Sequence, residues 1–318
     1  MAVNSNGKLI IYCLNVGQGD TTIIITPKNR VIIIDAVKAK KVVNFLEQIG
    51  FDDQQTIDHF IISHPHMDHY RAVAPLINKY GTNEIAFSSL RRYTKNIPGY
   101  VGIINTAAEK KIPMSFLSGY NQLHPDDSPF LDPKTVRLEL LGPSNQFIED
   151  LHSSRTLEIN HYSIIARLVW GKFRMVIAGD AQMENWAHFD REKMLEETCT
   201  VLRSAHHGSA NGTQFERIDR LNPRVVIVSS DPKGKDELPD LIGCATMLRY
   251  HKKSSDPIVA LTHSTGSIKI EVNDKGRRKV FSYGETANTN INVNQFKELK
   301  RSTDPTKWKN LSLSKLPT

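Results

Sequence analysis

The 318-residue chain has little cysteine. Cys13, Cys199 and Cys244 are odd in number, far apart and form no CxxC pair. A disulfide framework is therefore not expected, and a reducing compartment fits. Long apolar runs are also missing. No stretch approaches the roughly 18 to 20 residues that a membrane helix needs. The short apolar patch Leu9 to Leu14 has no charged segment of the signal-peptide kind before it, so a cytoplasmic location is expected. Heptads and short-period repeats are absent too, which argues against a coiled coil or a repeat array.

What is present is an ordinary globular composition, 39% hydrophobic and 24% charged, with 41 basic against 34 acidic residues and a net charge of +7. The length allows one large domain or two small ones. The positive balance favours anionic partners such as nucleic acid or phosphoesters.

Short β-branched runs separated by turn residues open the chain: Leu9 to Val16, Thr21 to Thr26 and Val31 to Ile34. Val42, Val43, Leu46 and Ile49 then follow helical spacing, and Ile57 to Ile62 reads as a buried strand. Arg71 to Tyr80 and Asn185 to Cys199 look helical. Further strands are expected at Ile85 to Phe87, Val136 to Leu141, Ser163 to Trp170, Phe173 to Ala178, Val201 to Ala205, Val225 to Ser229, Ile258 to Thr262 and Ser267 to Val272. Such mixing of sheet and helix predicts a layered α/β (α+β) domain. Residues 285–318 are rich in Asn, Thr, Lys and Ser, and read as a polar tail with one short helix, Asn294 to Arg301.

The chemistry concentrates after the strand at 57–62, in His64-Pro65-His66-Met67-Asp68-His69. Imidazoles and a carboxylate at this spacing suit zinc, and also manganese or iron. His64 and His66 can share one metal, while Asp68 and His69 serve a second. An apolar strand ends at Gly179-Asp180, where a carboxylate can bridge two metals. Another ends at His206-His207-Gly208-Ser209. Of the two histidines, His206 is favoured as ligand because it directly leaves the strand. His207 then orients a ligand or acts on substrate.

The HPHMDH run resembles the HxHxDH signature of the metallo-β-lactamase superfamily. Leu14 to Asp20 (LNVGQGD), Ile34-Asp35, Ala178 to Asp180 and His206 to Ser209 (HHGS), in this order, are similar to the metallohydrolase domain of the competence protein ComEC and its standalone relatives. The likeness extends over about Lys8 to Tyr283, and to Leu141-Gly142-Pro143 and Thr265 to Ile268. It implies a four-layer αββα sandwich over residues 1–284 with two metals, zinc or manganese, at one end of its sheets. His64, His66, Asp68, His69, Asp180 and His206 match the ligand motifs, and Asp35 matches the acidic position that supports the histidine loop. Many superfamily members carry a further histidine before the bridging aspartate. Here that stretch is Asn160-His161-Tyr162-Ser163, which offers His161 as ligand or Asn160 as a weak ligand or substrate contact. This chain shows none of the membrane channel of full competence proteins, so DNA uptake does not carry over.

The family implies metal-dependent hydrolysis, in the ComEC branch usually of nucleic-acid phosphodiesters. A metal lowers the pKa of bound water from about 15.7 to roughly 7, giving hydroxide at neutral pH. Asp68 can orient that hydroxide, while His207 or Ser209 contacts a phosphate oxygen or protonates the leaving group. Arg91, Arg92, Lys95 and, more weakly, His263 are candidates for substrate binding. The Lys275 to Lys279 cluster reads as a solvated hairpin face. Two other functions fit the motifs. One is hydrolysis of a small molecule such as a lactone, thioester or cyclic nucleotide. The other is a non-enzymatic partner subunit that keeps its metal and docks through the tail.

Overall fold

The computed structural model describes residues 3–93, 96–123, 125–126, 135–195, 197–253 and 257–302. Its strands are β1 (Leu9–Cys13), β2 (Thr22–Ile25), β3 (Val31–Ile34), β4 (His59–Ile62), β5 (Ile85–Ser88), β6 (Met114–Leu117), β7 (Gly119–Leu123) and β8 (Arg137–Gly142). There follow β9 (Ile165–Trp170), β10 (Phe173–Ile177), β11 (Val201–Arg203), β12 (Val225–Val228), β13 (Ile258–Leu261), β14 (Ser267–Val272), β15 (Arg278–Tyr283) and β16 (Lys297–Glu298).

The strands make two sheets, ordered β16-β15-β14-β1-β2-β3-β4-β5-β6 and β13-β12-β11-β10-β9-β8-β7. Each sheet is antiparallel on one side and parallel on the other. In the first, pairing turns parallel at β3–β4 and stays so to β6. In the second it turns parallel at β10–β11 and stays so to β13.

Strand β1 shows how the layers arise. All five of its residues are buried. Leu9, Ile11 and Cys13 face the core between the sheets, with Ile24, Ile61, Leu140, Leu168 and Met175. Ile10 and Tyr12 face the opposite core, with Phe45, Leu76 and Ile103 from the helices Ala39–Gln48, Val73–Tyr80 and Pro98–Glu109. Alternation with a period of two thus buries both faces of one strand. The second sheet is covered on its outer face by the helices Met183–Arg191, Phe215–Leu221 and Leu241–Lys253. The outcome is a mixed α/β sandwich in four layers, helix, sheet, sheet, helix.

Several elements differ from expectation. The polar stretch 144–160 contains a helix, Asn145–Ser153, capped by the Ser144 side chain, which accepts from Phe147 N at 3.2 Å. The helix Leu241–Lys253 was not foreseen, because its apolar residues follow no continuous stripe. Cys13, Cys199 and Cys244 are all buried and unbridged. The segment 285–302, expected as a tail, lies against the fold. Glu285 pairs with buried Lys41 at 3.2 Å, Ile291 is buried and Lys297–Glu298 extends the first sheet. The short helix expected at 294–301 is one 3-10 turn, Val293–Gln295, and then that strand. Among the described residues, no helix is long and apolar enough to cross a membrane.

Candidate metal centre

The chemistry lies where the parallel strands of both sheets end, the usual location of sites in open α/β sheets. Asp35 follows β3, and His64 to His69 follow β4. Asp180 follows β10, and His206-His207 follow β11. Three of these residues have left-handed backbone: Asp35 (φ 55°), His206 (φ 48°) and His207 (φ 51°). Such conformations cost a non-glycine residue about 1–3 kcal/mol and collect at functional sites. They aim side chains that a regular strand would alternate.

Asp180 is the hub. Its Oδ1 lies 3.2 Å from Nε2 of His69 and 3.5 Å from Nε2 of His207. Its Oδ2 lies 3.6 Å from Nε2 of His64 and 3.9 Å from Nε2 of His206. Nε2 of His64 is 3.0 Å from Nδ1 of His66, and Asp68 Oδ2 is 3.4 Å from Nε2 of His207. One carboxylate therefore faces two sets of donors, His64, with His66 beside it, and His206 on one side and Asp68, His69 and His207 on the other.

These donors fit cations. His69 Nε2, Asp180 Oδ1 and both ring nitrogens of His207 are buried without a hydrogen-bond partner, a costly state unless something binds there. His64, His69 and Asp180 form one group with ligand atoms within 4.8 Å of one another, and Asp68, His69 and His207 another. The electrostatics agree. Burial opposes charge on Asp180, yet His69, His207 and His64 hold its carboxyl well below the ordinary range. Burial likewise opposes charge on His69, but Asp180 and Asp35 hold its pKa well above the ordinary value. Burial, followed by His69, holds His64 well below its own. The cluster draws positive charge towards Asp180, and borderline imidazoles with hard carboxylates suit divalent first-row metals.

A family model for the metallo-beta-lactamase superfamily matches residues 14–230. The chain belongs to that superfamily. Its members are generally hydrolytic enzymes and bind divalent metals, typically two. No curated protein matches the chain. Among solved structures it resembles CmlA, a diiron beta-hydroxylase from Streptomyces venezuelae, at 13% identity and a TM-score of 0.52, over 80% of this chain and 52% of that one. The E377D mutant of the CmlA beta-hydroxylase matches at 13% identity and 0.54, over 83% and 54%. The chain spans about half the length of these proteins, and at this identity the likeness shows the fold alone. Igni18, a metallo hydrolase from Ignicoccus hospitalis KIN4/I, matches at 14% identity and 0.43, over 86% and 99%.

Within this superfamily fold, carboxylates stand behind the histidines. Asp35 Oδ2 is 2.8 Å from His69 Nδ1, and Asp35 also accepts from Ser63 N and Ser63 Oγ, each at 2.7 Å. Asp20 stands behind His207 at a longer distance: its Oδ1 lies 3.6 Å from Nδ1 and accepts from Arg203 Nη2 at 2.9 Å. Asp20 and Arg203 were missed as functional residues. The only signal was the Val16 to Asp20 segment, read as part of a motif and not as a residue with a role.

Other expected residues lie elsewhere. Of the two histidines after β11, His206, favoured as ligand, stands 3.9 Å from Asp180, and His207 stands 3.5 Å from it on the Asp68 side; left-handed backbone at both positions removes strand alternation. The His161 ring is taken up by other partners: its Nδ1 accepts from Glu158 N at 2.9 Å and its Nε2 faces Glu184 at 3.4 Å. Asn160 instead reaches the cluster, with Nδ2 3.3 Å from Nε2 of His206 and a buried, unpartnered Oδ1. Ser209 lines the cavity over the cluster, and its Oγ donates to Asn211 Oδ1 at 3.0 Å. Arg91 and Arg92 both bind Glu149, at 2.6 and 2.8 Å. His263 sits 2.7 Å from Ser230 Oγ and lines neither cavity beside the cluster. Lys95 lies outside the described residues.

Proposed function

We propose that this protein is a metal-dependent phosphodiesterase acting on nucleic acid, with zinc or manganese at two positions. The supporting observation is the division of Asp180, whose two oxygens face separate donor sets. Asp180, His64, His66 and His206 would hold one metal; Asp180, Asp68, His69 and His207 would hold the other. Metals there would supply an activated water near neutral pH and would neutralise charge on phosphoryl oxygens.

The chain's own residues supply the rest. Burial disfavours charge on Asp68, yet the His207 imidazole 3.4 Å away, with His69, holds its carboxyl below the ordinary range, so it stays an acceptor able to orient water. Asn160, beside His206, offers an amide to a phosphoryl oxygen. Ser209 stands on the wall of the same cavity and would donate to a leaving group on turning its hydroxyl away from Asn211. The net charge of +7 suits a polyanionic substrate. The ComEC-like motifs favour the same substrate class.

A second reading is hydrolysis of a small molecule. It is supported by residues 96–99 and Ile103, which wall a cleft beside His66. Labelled single- and double-stranded DNA and RNA, incubated with manganese or zinc, should be cleaved by the native chain and not by Asp68→Ala. Full metal content with no cleavage of any of them would sink the phosphodiesterase reading and favour a small molecule or a partner subunit.

A further inference from the structure

A cavity of about 1210 Å³ opens beside the metal cluster, from His66 and Asn160 outwards. It exceeds the roughly 300–1,000 Å³ of an ordinary small-ligand pocket. It shares His66, Met67 and Arg71 with the 820 Å³ cavity that covers Asp68, Asp180, His206 and His207. A substrate reacting over Asp180 can thus extend past Arg71 into this cleft.

The wall mixes apolar and cationic groups. Tyr93, Ile97, Ile103 and Leu157 offer a surface for a ring, while Arg71, Arg92 and Arg155 bring positive charge. Glu149 neutralises Arg92. Glu158, the carboxylate on this wall, accepts from Gln182 Nε2 at 3.2 Å. Among the described residues, the guanidinium groups of Arg71 and Arg155 have no ion-pair or hydrogen-bond partner. Arg155 also sits at a turn with left-handed backbone (φ 61°), where its N–H donates to His152 O at 3.1 Å. Two unneutralised arginines from different segments therefore line one cleft, next to a centre rich in carboxylates. Planar forks of this kind bind phosphate oxygens in pairs.

We propose that Arg71 and Arg155 form an anion subsite that takes a phosphate group of a nucleotide next to the bond being cleaved, with the attached ring on the apolar wall. This rests on the phosphodiesterase reading above. The same phosphate chemistry is offered by a nucleic-acid strand and by a small nucleotide.

The test compares the native full chain with R71A/R155A and R71K/R155K. Three substrates separate the possibilities: bis(p-nitrophenyl) phosphate, which has a single phosphate; a 5′-phosphorylated thymidine dinucleotide; and a single-stranded thymidine 12-mer. In the alanine variant, kcat/KM for the thymidine substrates relative to that for bis(p-nitrophenyl) phosphate should fall about tenfold or more, mainly through KM, as expected on losing charge-assisted hydrogen bonds to phosphate. Lysine should recover part of this, since it keeps charge without the fork. A fall confined to the 12-mer assigns the subsite to a strand, and a fall on the dinucleotide as well assigns it to a small nucleotide. An equal fall on all three substrates, or none, overturns the proposal. A second measurement needs no turnover. Thymidine 5′-monophosphate should bind the native chain more tightly than thymidine does, and R71A/R155A should lose that difference. If no diester is hydrolysed, the phosphodiesterase reading fails while this binding still judges the subsite; equal binding of the two probes to the native chain refutes it.

Discussion

Asp20 Oδ1 stands 3.6 Å from Nδ1 of His207 and accepts a hydrogen bond from Arg203 at 2.9 Å, all three side chains being buried. A carboxylate behind an imidazole sets its tautomer and ring orientation, and loss of such support typically costs 10- to 100-fold in metal affinity, roughly. Asp20→Asn should weaken metal at the Asp68–His207 side by about that factor. Competition against a chromogenic zinc chelator would show one of two equivalents weakened; unchanged affinity for both would refute the role.

Asp35 should behave differently because it holds more than one group. It faces His69 Nδ1 and also accepts from Ser63 N and Oγ. Asp35→Ala leaves the buried Ser63 N–H without a partner, at about 1–3 kcal/mol, and leaves Ser63 Oγ and His69 Nδ1 only their longer contact at 3.3 Å and that of Ser63 Oγ with His64 Nδ1 at 3.1 Å. The expected result is lower metal content together with a clear loss of stability in urea. An effect on metal alone would mean that Ser63 finds other partners.

Gly19 tests how tightly the segment before β2 is packed on the centre. Its φ is 124°, and a Cβ there would lie 2.5 Å from the carbonyl oxygen of Asp68. Gly19→Ala should displace Asp68, lowering metal content and the melting temperature. Gly7 also has positive φ (69°) but open space around its Cβ position, so Gly7→Ala serves as the control for backbone strain alone. Equal effects from the two would remove the steric argument.

Metal should stabilise the fold through Asp180. A ligand that binds only the folded state at 100 times its Kd adds about 2.7 kcal/mol. Zinc or manganese should therefore raise the Tm of the chelator-treated chain, and Asp180→Asn should abolish most of the rise. Calorimetry with and without each metal reads this directly. A full rise in the Asn variant would place the binding elsewhere.

The Lys41–Glu285 pair predicts that residues 285–302 belong to the folded unit. Both side chains are buried, Lys41 Nζ also donates to Asn15 O at 2.7 Å, and Glu285 accepts from Ser267 N. Burial pushes the Lys41 ammonium down from its ordinary value, while Glu285 supports its charge. Removing one partner of a buried pair costs about 3–5 kcal/mol. Glu285→Ala should lower stability by that order in chemical denaturation, and a change near zero would return the segment to the status of a tail.

The sequence by itself determined the kinds of donors and their local order. His64, His66, Asp68 and His69 are neighbours in the chain, and Asp180 and His206-His207 each follow an apolar strand, so local pattern was enough to find them. Strands also declared themselves wherever β-branched residues ran unbroken, as at Val31–Ile34. Tertiary structure decided what depends on distance in space. Asp20 meets His207, 187 positions further along the chain, only because β2 and β11 bring their ends together, and no local pattern encodes that. The separate aims of His206 and His207 follow from left-handed backbone, which residue type alone does not reveal. His161 and Asn160 are adjacent, yet one turns to Glu158 and Glu184 and the other to His206, because a single 3-10 turn rotates successive side chains apart. Lys41 and Glu285 complete the same lesson: a polar segment joins the core when one buried charge finds its partner there.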